Sequence, residues 1–215
     1  MKVMINRIHV YKQNHVRIIS EGREIHIDPF QTDEATNSAD FILITHDHHD
    51  HFSVRDIERT AGKNTVLIVP ENMRGKAEAA EKYVKKIETV APGGSYDIDG
   101  LEFETVPAYN IGKPFHPKSA GWVGYIIKTE GKRIYVAGDT DATEEAVSVK
   151  CDIALVPVGG TYTMDPGQAA KLINTIKPEI AVPVHYGGIV GRKKDGLEFQ
   201  KAVGKDVQVV IKIGV

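Results

Sequence analysis

A short apolar segment that runs directly into a cluster of histidines and aspartates constrains the fold of this chain more than any other feature. Residues 41–45 read FILIT, and a continuous apolar run of this length is typical of a strand that is covered on both faces. The next six residues, from His46 to His51, read HDHHDH. The cluster is therefore predicted to lie at the end of a buried strand, where loops commonly carry binding and catalytic residues.

Four imidazoles within six residues indicate a metal site. The alternative is a solvated polar loop, but protonated imidazoles would repel one another there and neutral ones would contribute little packing. A divalent metal ion removes that difficulty, because neutral imidazole and carboxylate are ligands that Zn²⁺ accepts. In an extended segment His46 and His48 point the same way, whereas Asp50 and His51 come from the next turn and can face a neighbouring site.

Charge and length exclude several classes of protein. The 215 residues include 27 Lys and Arg against 29 Asp and Glu, a net charge of −2, so neither wrapping of nucleic acid nor binding to an anionic membrane is expected. No segment approaches the roughly 20 apolar residues needed to cross a bilayer. The single cysteine, Cys151, cannot form an internal disulfide, and the N-terminal MKVMINRIHV lacks the apolar core of a signal peptide. A cytoplasmic location is therefore expected.

Hydrophobic periodicity predicts two β-rich stretches, each followed by helices, within a single domain that spans residues 1–215. Turns are expected at Glu21-Gly22 and Glu130-Gly131, and capping residues predict helices after Ser53 and Asp165. The expected strands cover 4–12, 15–21, 23–29, 41–45, 65–70, 87–90, 95–98, 101–107, two within 121–138, 152–159, 179–187 and 207–214. The other expected helices cover 73–86, 144–149 and 197–203. This order fits an α/β protein with two sheets face to face and helices outside.

The motif H-x-H-x-D-H after a buried strand resembles the signature of the metallo-β-lactamase superfamily, whose fold is a four-layer αββα sandwich. The resemblance continues in order along the chain with His116 in PFHPKSAGWVGY, Asp139 in VAGDT and His185 in VPVHYG. It implies two divalent metal ions. By this resemblance the first ion is held by His46, His48 and His116, the second by Asp50, His51 and His185, and Asp139 bridges the two.

Differences from other branches of that superfamily narrow the activity and the metal that are expected. Cys151 lies away from every motif, so the cysteine ligand of some true β-lactamases has no counterpart and antibiotic hydrolysis is not expected. His48 stands where the di-iron branch has Glu, which favours zinc, with Mn²⁺ and Fe²⁺ left open. The segments PAYN, FHP, GWVGY and GGTYTMD look most like the ascorbate-6-phosphate lactonase-like group of metal-dependent hydrolases.

The resemblance implies a binuclear hydrolase in which a metal-bridging hydroxide attacks a small anionic ester, lactone or phosphodiester. Neither a G-x-S-x-G motif nor a P-loop offers another nucleophile or phosphate site. The alternatives are a non-enzymatic metal-binding or ligand-sensing protein and a nuclease of the same fold. The oligomeric state is left open.

The residues expected to serve catalysis are Asp50, Asp139, Tyr109 and Asn110, the last two as substrate contacts on the loop before His116. Asp28, in the strand-end sequence IHIDP, is expected to orient a ligand. Further candidates for substrate contact are Tyr162, Tyr186, Lys113, Arg192, Lys193 and Lys194. His15 is expected near the metals by resemblance, whereas His9, His26 and His49 are not expected to be ligands.

Overall fold

The computed structural model describes residues 2–213, and the chain divides into two compact units, residues 1–91 and 92–215. Each unit contains one mixed β-sheet flanked by helices, which confirms the predicted α/β class. Within residues 2–213, no helix is both long enough and apolar enough to span a membrane. The expectation of a single domain stays a prediction.

The first unit is built on a six-stranded sheet. Its strands are β1 (Ile8–Val10), β2 (Val16–Ser20), β3 (Arg23–Ile27), β4 (Ala39–Leu43), β5 (Ala61–Pro70) and β6 (Lys86–Val90), which neighbour one another in chain order. The strands β1 to β3 pair antiparallel, and β3 to β6 pair parallel. The helices are α1 (Lys2–Asn6), α2 (Val54–Thr60) and α3 (Arg74–Ala77), with 3₁₀ turns at Glu71–Met73 and Glu78–Tyr83. Ile57 of α2 packs against Ile42 and Leu67 of the sheet in one apolar cluster.

The second unit contains a seven-stranded sheet. Its strands are β7 (Ser95–Ile98), β8 (Leu101–Pro107), β9 (Val123–Thr129), β10 (Lys132–Val136), β11 (Ile153–Pro157), β12 (Ile180–Val184) and β13 (Gln208–Val209), again adjacent in chain order. The strands β7 to β10 pair antiparallel, and β10 to β13 pair parallel. The helices are α4 (Glu144–Val147), α5 (Pro166–Ile176) and α6 (Asp195–Ala202), with a 3₁₀ turn at Lys118–Ala120.

Strand direction determines where the loops of each unit gather. In the first unit β3 and β4 are parallel, so Asp28 and the histidine cluster follow them at the same sheet edge. In the second unit β8, β10, β11 and β12 all run in one direction, because β9 pairs antiparallel with both β8 and β10. The loops after these four strands therefore share one edge of the second sheet.

Local turn and capping signals were read correctly from the sequence. Both predicted hairpin turns have two residues with positive φ, at Glu21 (53°) and Gly22 (74°) and at Glu130 (48°) and Gly131 (68°), which suits the right-handed twist of the strands. The side chain of Ser53 accepts a hydrogen bond from the Asp56 N–H at the start of α2. At α5 Asp165 forms the predicted reciprocal capping box with Gln168.

Most predicted elements differ from the structure by a few residues at their ends, and the largest differences concern three elements. The segment 4–12, expected as a strand, begins within α1 and forms a strand only at Ile8–Val10. The helix expected over 73–86 is instead a succession of short helical turns that ends at Tyr83. The last expected strand, 207–214, forms only at Gln208–Val209, and its final residue, Gly214, lies outside the described residues.

Candidate metal centre

The histidine cluster of the first unit follows β4 directly and lies mostly in the interior. His46, Asp50 and His51 are buried, His48 is half-buried, and the His49 side chain is exposed, as expected for a residue that is not a ligand. The distance from His46 Nε2 to His48 Nδ1 is 3.1 Å, and His51 Nε2 lies 3.6 Å from an Asp50 carboxylate oxygen. The four predicted ligands of this unit therefore form two adjacent pairs.

Asp28 lies behind this cluster, as predicted, and is completely buried. One of its carboxylate oxygens accepts hydrogen bonds from His51 Nδ1 (2.7 Å), Thr45 Oγ1 (2.6 Å) and Asn14 Nδ2 (2.7 Å), and the other accepts the Thr45 N–H. Because a carboxylate only accepts, His51 carries its proton on Nδ1 and its lone pair on Nε2.

Thr45 fixes the neighbouring imidazole in the same way. Its hydroxyl donates to Asp28, so it accepts from His46 Nδ1 at 3.0 Å. The lone pair of His46 is therefore on Nε2, the atom that lies close to His48. Thr45 and Asp28 together set the tautomers of two predicted ligands, as carboxylates and hydroxyls behind metal-binding histidines commonly do.

The second unit contributes His116, Asp139 and His185, which the shared sheet edge brings together. His116 Nε2 lies 3.3 Å from one carboxylate oxygen of Asp139, and His185 Nε2 lies 3.3 Å from the other. All three side chains are buried. His116 and His185 have positive φ values of 48° and 57°, which cost backbone energy and are commonly tolerated at functional sites.

These distances fit the coordination of a metal ion. Two ligands at about 2.0–2.1 Å from a tetrahedral Zn²⁺ lie about 3.3–3.4 Å apart. The donor pairs within the two units are separated by 3.1–3.6 Å, which is close to that spacing. Imidazole nitrogens with defined lone pairs and carboxylate oxygens form the donor set that zinc prefers.

Asn110, predicted to contact substrate, lies beside His116. Its Oδ1 is 2.9 Å from His116 Nδ1, so it accepts the proton there and leaves Nε2 directed at Asp139. The side chain is buried, and its Nδ2 forms no hydrogen bond with any described residue. This geometry favours an orienting role for Asn110 at His116, and its predicted contact with substrate stays a prediction.

Tyr109 occupies a different position on the same loop. Its hydroxyl donates to Glu145 at 2.8 Å, and the Lys118 ammonium lies 4.7 Å from the ring centroid. The hydrogen bond from Lys118 lowers the pKa of Glu145 to about 2, so this carboxylate is ionised at neutral pH. The Tyr109 hydroxyl is thus already engaged, and its predicted contact with substrate stays a prediction.

The remaining nominated side chains differ in exposure. Tyr186 is buried, and its hydroxyl donates to the Ile213 carbonyl, whereas Tyr162 is exposed. Lys113 contacts Asp141, and Arg192 contacts Asp195. Burial raises the pKa of the Cys151 thiol to about 12, so this cysteine is a poor nucleophile.

Sequence reasoning missed two residues that hold the first cluster. Asn14 Nδ2 donates to Asp28 at 2.7 Å, and Gln13 Nε2 lies 3.4 Å from Asp50. Both side chains are buried although they belong to a turn between β1 and β2. Next to them, His15 Nε2 lies 2.9 Å from His26 Nδ1. The only signal in the sequence was the succession of two amides and one imidazole, Gln13, Asn14 and His15, in the loop between β1 and β2.

Comparison with known proteins identifies the class. The chain matches the Beta-lactamase superfamily domain over residues 7–185. A crystal structure from Parabacteroides distasonis superposes with a TM-score of 0.82 at 32% identity, covering 96% of this chain and 93% of the other. The chain is therefore a metal-dependent hydrolase with the metallo-β-lactamase fold, as predicted from the motif.

Curated relatives define the family more closely. The UPF0173 metal-dependent hydrolase of Methanopyrus kandleri is 32% identical over 210 residues, which cover 89% of this chain and 90% of the relative. The one from Nanoarchaeum equitans is 35% identical over 211 residues, covering 90% and 91%. The chain belongs to this family of the β-lactamase superfamily.

Proposed function

We propose that the two clusters supply the ligands of one binuclear zinc centre. His46, His48 and His116 would hold one ion, Asp50, His51 and His185 the other, and Asp139 would bridge them. The observation that carries this proposal is the carboxylate of Asp139, whose two oxygens each lie 3.3 Å from an imidazole Nε2. A carboxylate flanked in this way can give one oxygen to each of two ions.

The residues around the ligands determine how such a centre would work. Two ions held by the ligands would supply a nucleophilic water of lowered pKa and positive charge for the oxygen under attack. Asp28 and Asn110 hold the protons of His51 and His116 on Nδ1 and so keep the lone pairs on Nε2, and Thr45 does the same for His46. Because these contacts are made within the protein, the ligands are oriented before any ion binds.

The proposed reaction is hydrolysis of a small carboxylic ester, lactone or phosphodiester. The likeness to the ascorbate-6-phosphate lactonase-like group supports a substrate of this kind. The anionic character expected of the substrate has less support, since Lys113 and Arg192 are already paired with carboxylates. It stays a prediction.

Metal analysis combined with one substitution tests the proposal. Purified protein from zinc-replete expression should contain about two zinc ions per chain and hydrolyse generic esters, lactones or bis(p-nitrophenyl) phosphate until a chelator is added. Asp139→Ala should abolish turnover and reduce the bound metal, because the bridge is lost. His49→Ala, a substitution in the same segment at an exposed side chain, is the matched control and should retain both.

Different failures have different meanings. Metal-free protein after metal-replete expression would exclude the centre. One ion per chain with full activity in Asp139→Ala would refute the bridging role. Two ions without hydrolysis of any of these compounds would refute the proposed reaction and leave the metal assignment intact.

A further inference from the structure

Exposed apolar side chains are concentrated on the loops that carry the second cluster. Six large hydrophobic side chains of the described residues are markedly exposed, and four of them lie on three loops of the second unit. The loop after β8 carries Ile111 and Phe115, the loop after β11 carries Tyr162, and the loop after β12 carries Ile189. We call these four side chains the apolar rim.

The loop after β11 contacts both of the other two loops, so the four side chains of the apolar rim are carried by adjoining loops. The rings of Phe115 and Tyr162 meet edge to face with centroids 4.6 Å apart. Lys113 Nζ donates to the Thr163 carbonyl at 2.7 Å, which also joins the first two loops. The third loop reaches the second at Gly159, where an added Cβ would lie 3.0 Å from Val190 Cγ2.

The rim also lies at the sheet edge of the proposed ligands. Phe115 precedes His116 directly, and Ile189 comes four residues after His185 on the loop that follows β12. Apolar side chains that are left in solvent beside a polar site commonly mark a ligand surface, because exposure of large hydrophobic groups has no benefit for folding.

The charges on these loops favour an uncharged ligand. Lys113 contacts Asp141, Arg192 contacts Asp195 and Glu198, and Lys194 contacts Glu198. Among the cations expected to meet an anionic substrate, Lys193 alone has no such carboxylate partner within the described residues. The positive charge on these loops is thus largely neutralised, while their apolar surface is exposed.

We propose that the apolar rim binds the aliphatic acyl chain of a neutral carboxylic ester, an inference that rests on the proposed function. Hydrolysis adds one water across the acyl carbon–oxygen bond, which breaks to give the carboxylic acid and the alcohol. The acyl chain would pack on Ile111, Phe115, Tyr162 and Ile189 while the ester carbonyl faces the ligand cluster. Chain length, and not negative charge, then determines substrate preference.

Kinetics on the zinc-loaded protein test this preference. Across p-nitrophenyl acetate, butyrate and hexanoate, kcat/KM should rise by up to about fourfold per added methylene, the gain expected for burying one. Tyr162→Ser and Ile189→Ser should each flatten this rise. Leu197→Ser removes an equally exposed apolar side chain from helix α6 and should leave the chain-length dependence as in the wild type. The p-nitrophenyl half-ester of adipic acid, in which a carboxylate replaces the terminal methyl group of the hexanoyl chain, should be a poorer substrate than the hexanoate.

Binding of a compound that cannot be hydrolysed as an ester gives a second measurement without turnover. In NMR titrations of the metal-free and the zinc-loaded protein, N-methylhexanamide, which carries the long chain on the acyl side, should bind more tightly than N-methylacetamide and shift the amide signals of the three loops. Both rim variants should weaken binding of the hexanamide selectively.

Each result decides one proposal. A flat chain-length series with chelator-sensitive hydrolysis, or a preference for the adipate half-ester, overturns the rim proposal and leaves the hydrolase proposal standing. Length-dependent binding at the three loops without hydrolysis of any ester refutes the proposed reaction and supports the rim. Equal binding of N-methylhexanamide and N-methylacetamide overturns the rim proposal whatever the activity.

Discussion

At the scale of single residues, the buried carboxylate of Asp28 has the largest influence on the first ligand cluster. It accepts four hydrogen bonds from three residues, Asn14, Thr45 and His51. Its own φ of 47° is a conformation that Asp and Asn adopt more readily than most residues. Asparagine at this position can therefore keep the backbone while it removes the charge and one acceptor.

We expect Asp28→Asn to weaken zinc binding by roughly 10- to 100-fold, the usual effect of losing a group that orients a metal-binding histidine. An amide nitrogen would face either His51 Nδ1 or the Thr45 N–H, and neither can accept from it. Competition with a chromophoric chelator measures the affinity, and Asp33→Asn, at an exposed side chain, is the control. Unchanged affinity would show that Asp28 serves the fold alone.

Substitution of Asn110 can distinguish two roles, orientation of His116 and contact with substrate. If it orients His116, Asn110→Ala should lower zinc affinity by roughly 10-fold or more, because His116 Nδ1 loses its acceptor. If it contacts substrate, as the sequence suggested, the substitution should raise KM at full zinc occupancy and leave the affinity for zinc unchanged. Parallel metal titration and steady-state kinetics separate these outcomes, and the geometry leads us to expect the first.

At the scale of helices and strands, the sequence predicted well those elements that carry their own end signals. The start of α5 follows from Asp165, Pro166 and Gln168, and two-residue turns marked both hairpins. The segment 4–12 was misread because Met4, Ile5 and Ile8, all buried, suit a helical turn as well as a strand. Over 73–86, helix-forming residues occur without a continuous apolar face, so only short turns form.

Some residues of the candidate site could be predicted from the sequence, and others could not. His46, His48, His116, Asp139 and His185 were predicted because a motif fixes their order along the chain. Asn14 and Gln13 were not, since they act through contacts 14 and 37 residues distant in sequence, with Asp28 and Asp50. Contacts of this kind follow from tertiary packing and leave no periodic pattern.

Close packing of two strand ends leads to a prediction at the same scale. A Cβ at Gly159, just after β11, would lie 2.4 Å from the carbonyl oxygen of His185, so the ends of β11 and β12 can approach only if residue 159 is glycine. Gly159→Ala should displace His185, lower zinc affinity and reduce the midpoint of thermal unfolding.

The matched control for Gly159→Ala is Gly75→Ala. Its added methyl group meets no atom within 4 Å, and residue 75 lies inside helix α3. Alanine there should be neutral or stabilise the protein by up to about 1 kcal/mol. Calorimetric unfolding and zinc content, measured on both variants, test whether the close approach of β11 and β12 requires glycine at residue 159. Equal behaviour of the two would mean that the strand ends separate without cost.

At the scale of the whole molecule, a row of three interacting titratable side chains, Glu24, His26 and His15, makes stability depend on pH. His26 Nε2 lies 2.8 Å from Glu24, and His26 Nδ1 lies 2.9 Å from His15 Nε2. The pKa of His15 is lowered to about 3, mainly by burial and to a smaller extent by the neighbouring His26. Burial alone would raise the pKa of Glu24, but hydrogen bonds from Arg17, His26 and Ser38 outweigh it and hold this pKa at about 2.

Both shifts act in the same direction. Between about pH 6.5 and pH 3 an unfolded chain protonates residue 15 whereas the folded protein does not, so the unfolded state binds more protons. The free energy of unfolding is therefore not reduced by residue 15 above about pH 6.5, and it decreases as the pH falls from there towards 3. Glu24 adds a similar loss at lower pH, from about 4.5 down to about 2.

Replacing His15 should consequently change the slope of stability against pH as well as its level. In the metal-free protein, urea unfolding between pH 6 and pH 4 should lose about 1.4 kcal/mol less per pH unit in His15→Gln than in the wild type, because one proton fewer is taken up on unfolding. His49→Gln, which removes an exposed imidazole, should leave the slope unchanged. A His15→Gln variant that is destabilised equally at every pH would show that His15 contributes packing, through its stack on Tyr11, and takes up its proton in the folded state as readily as in the unfolded one.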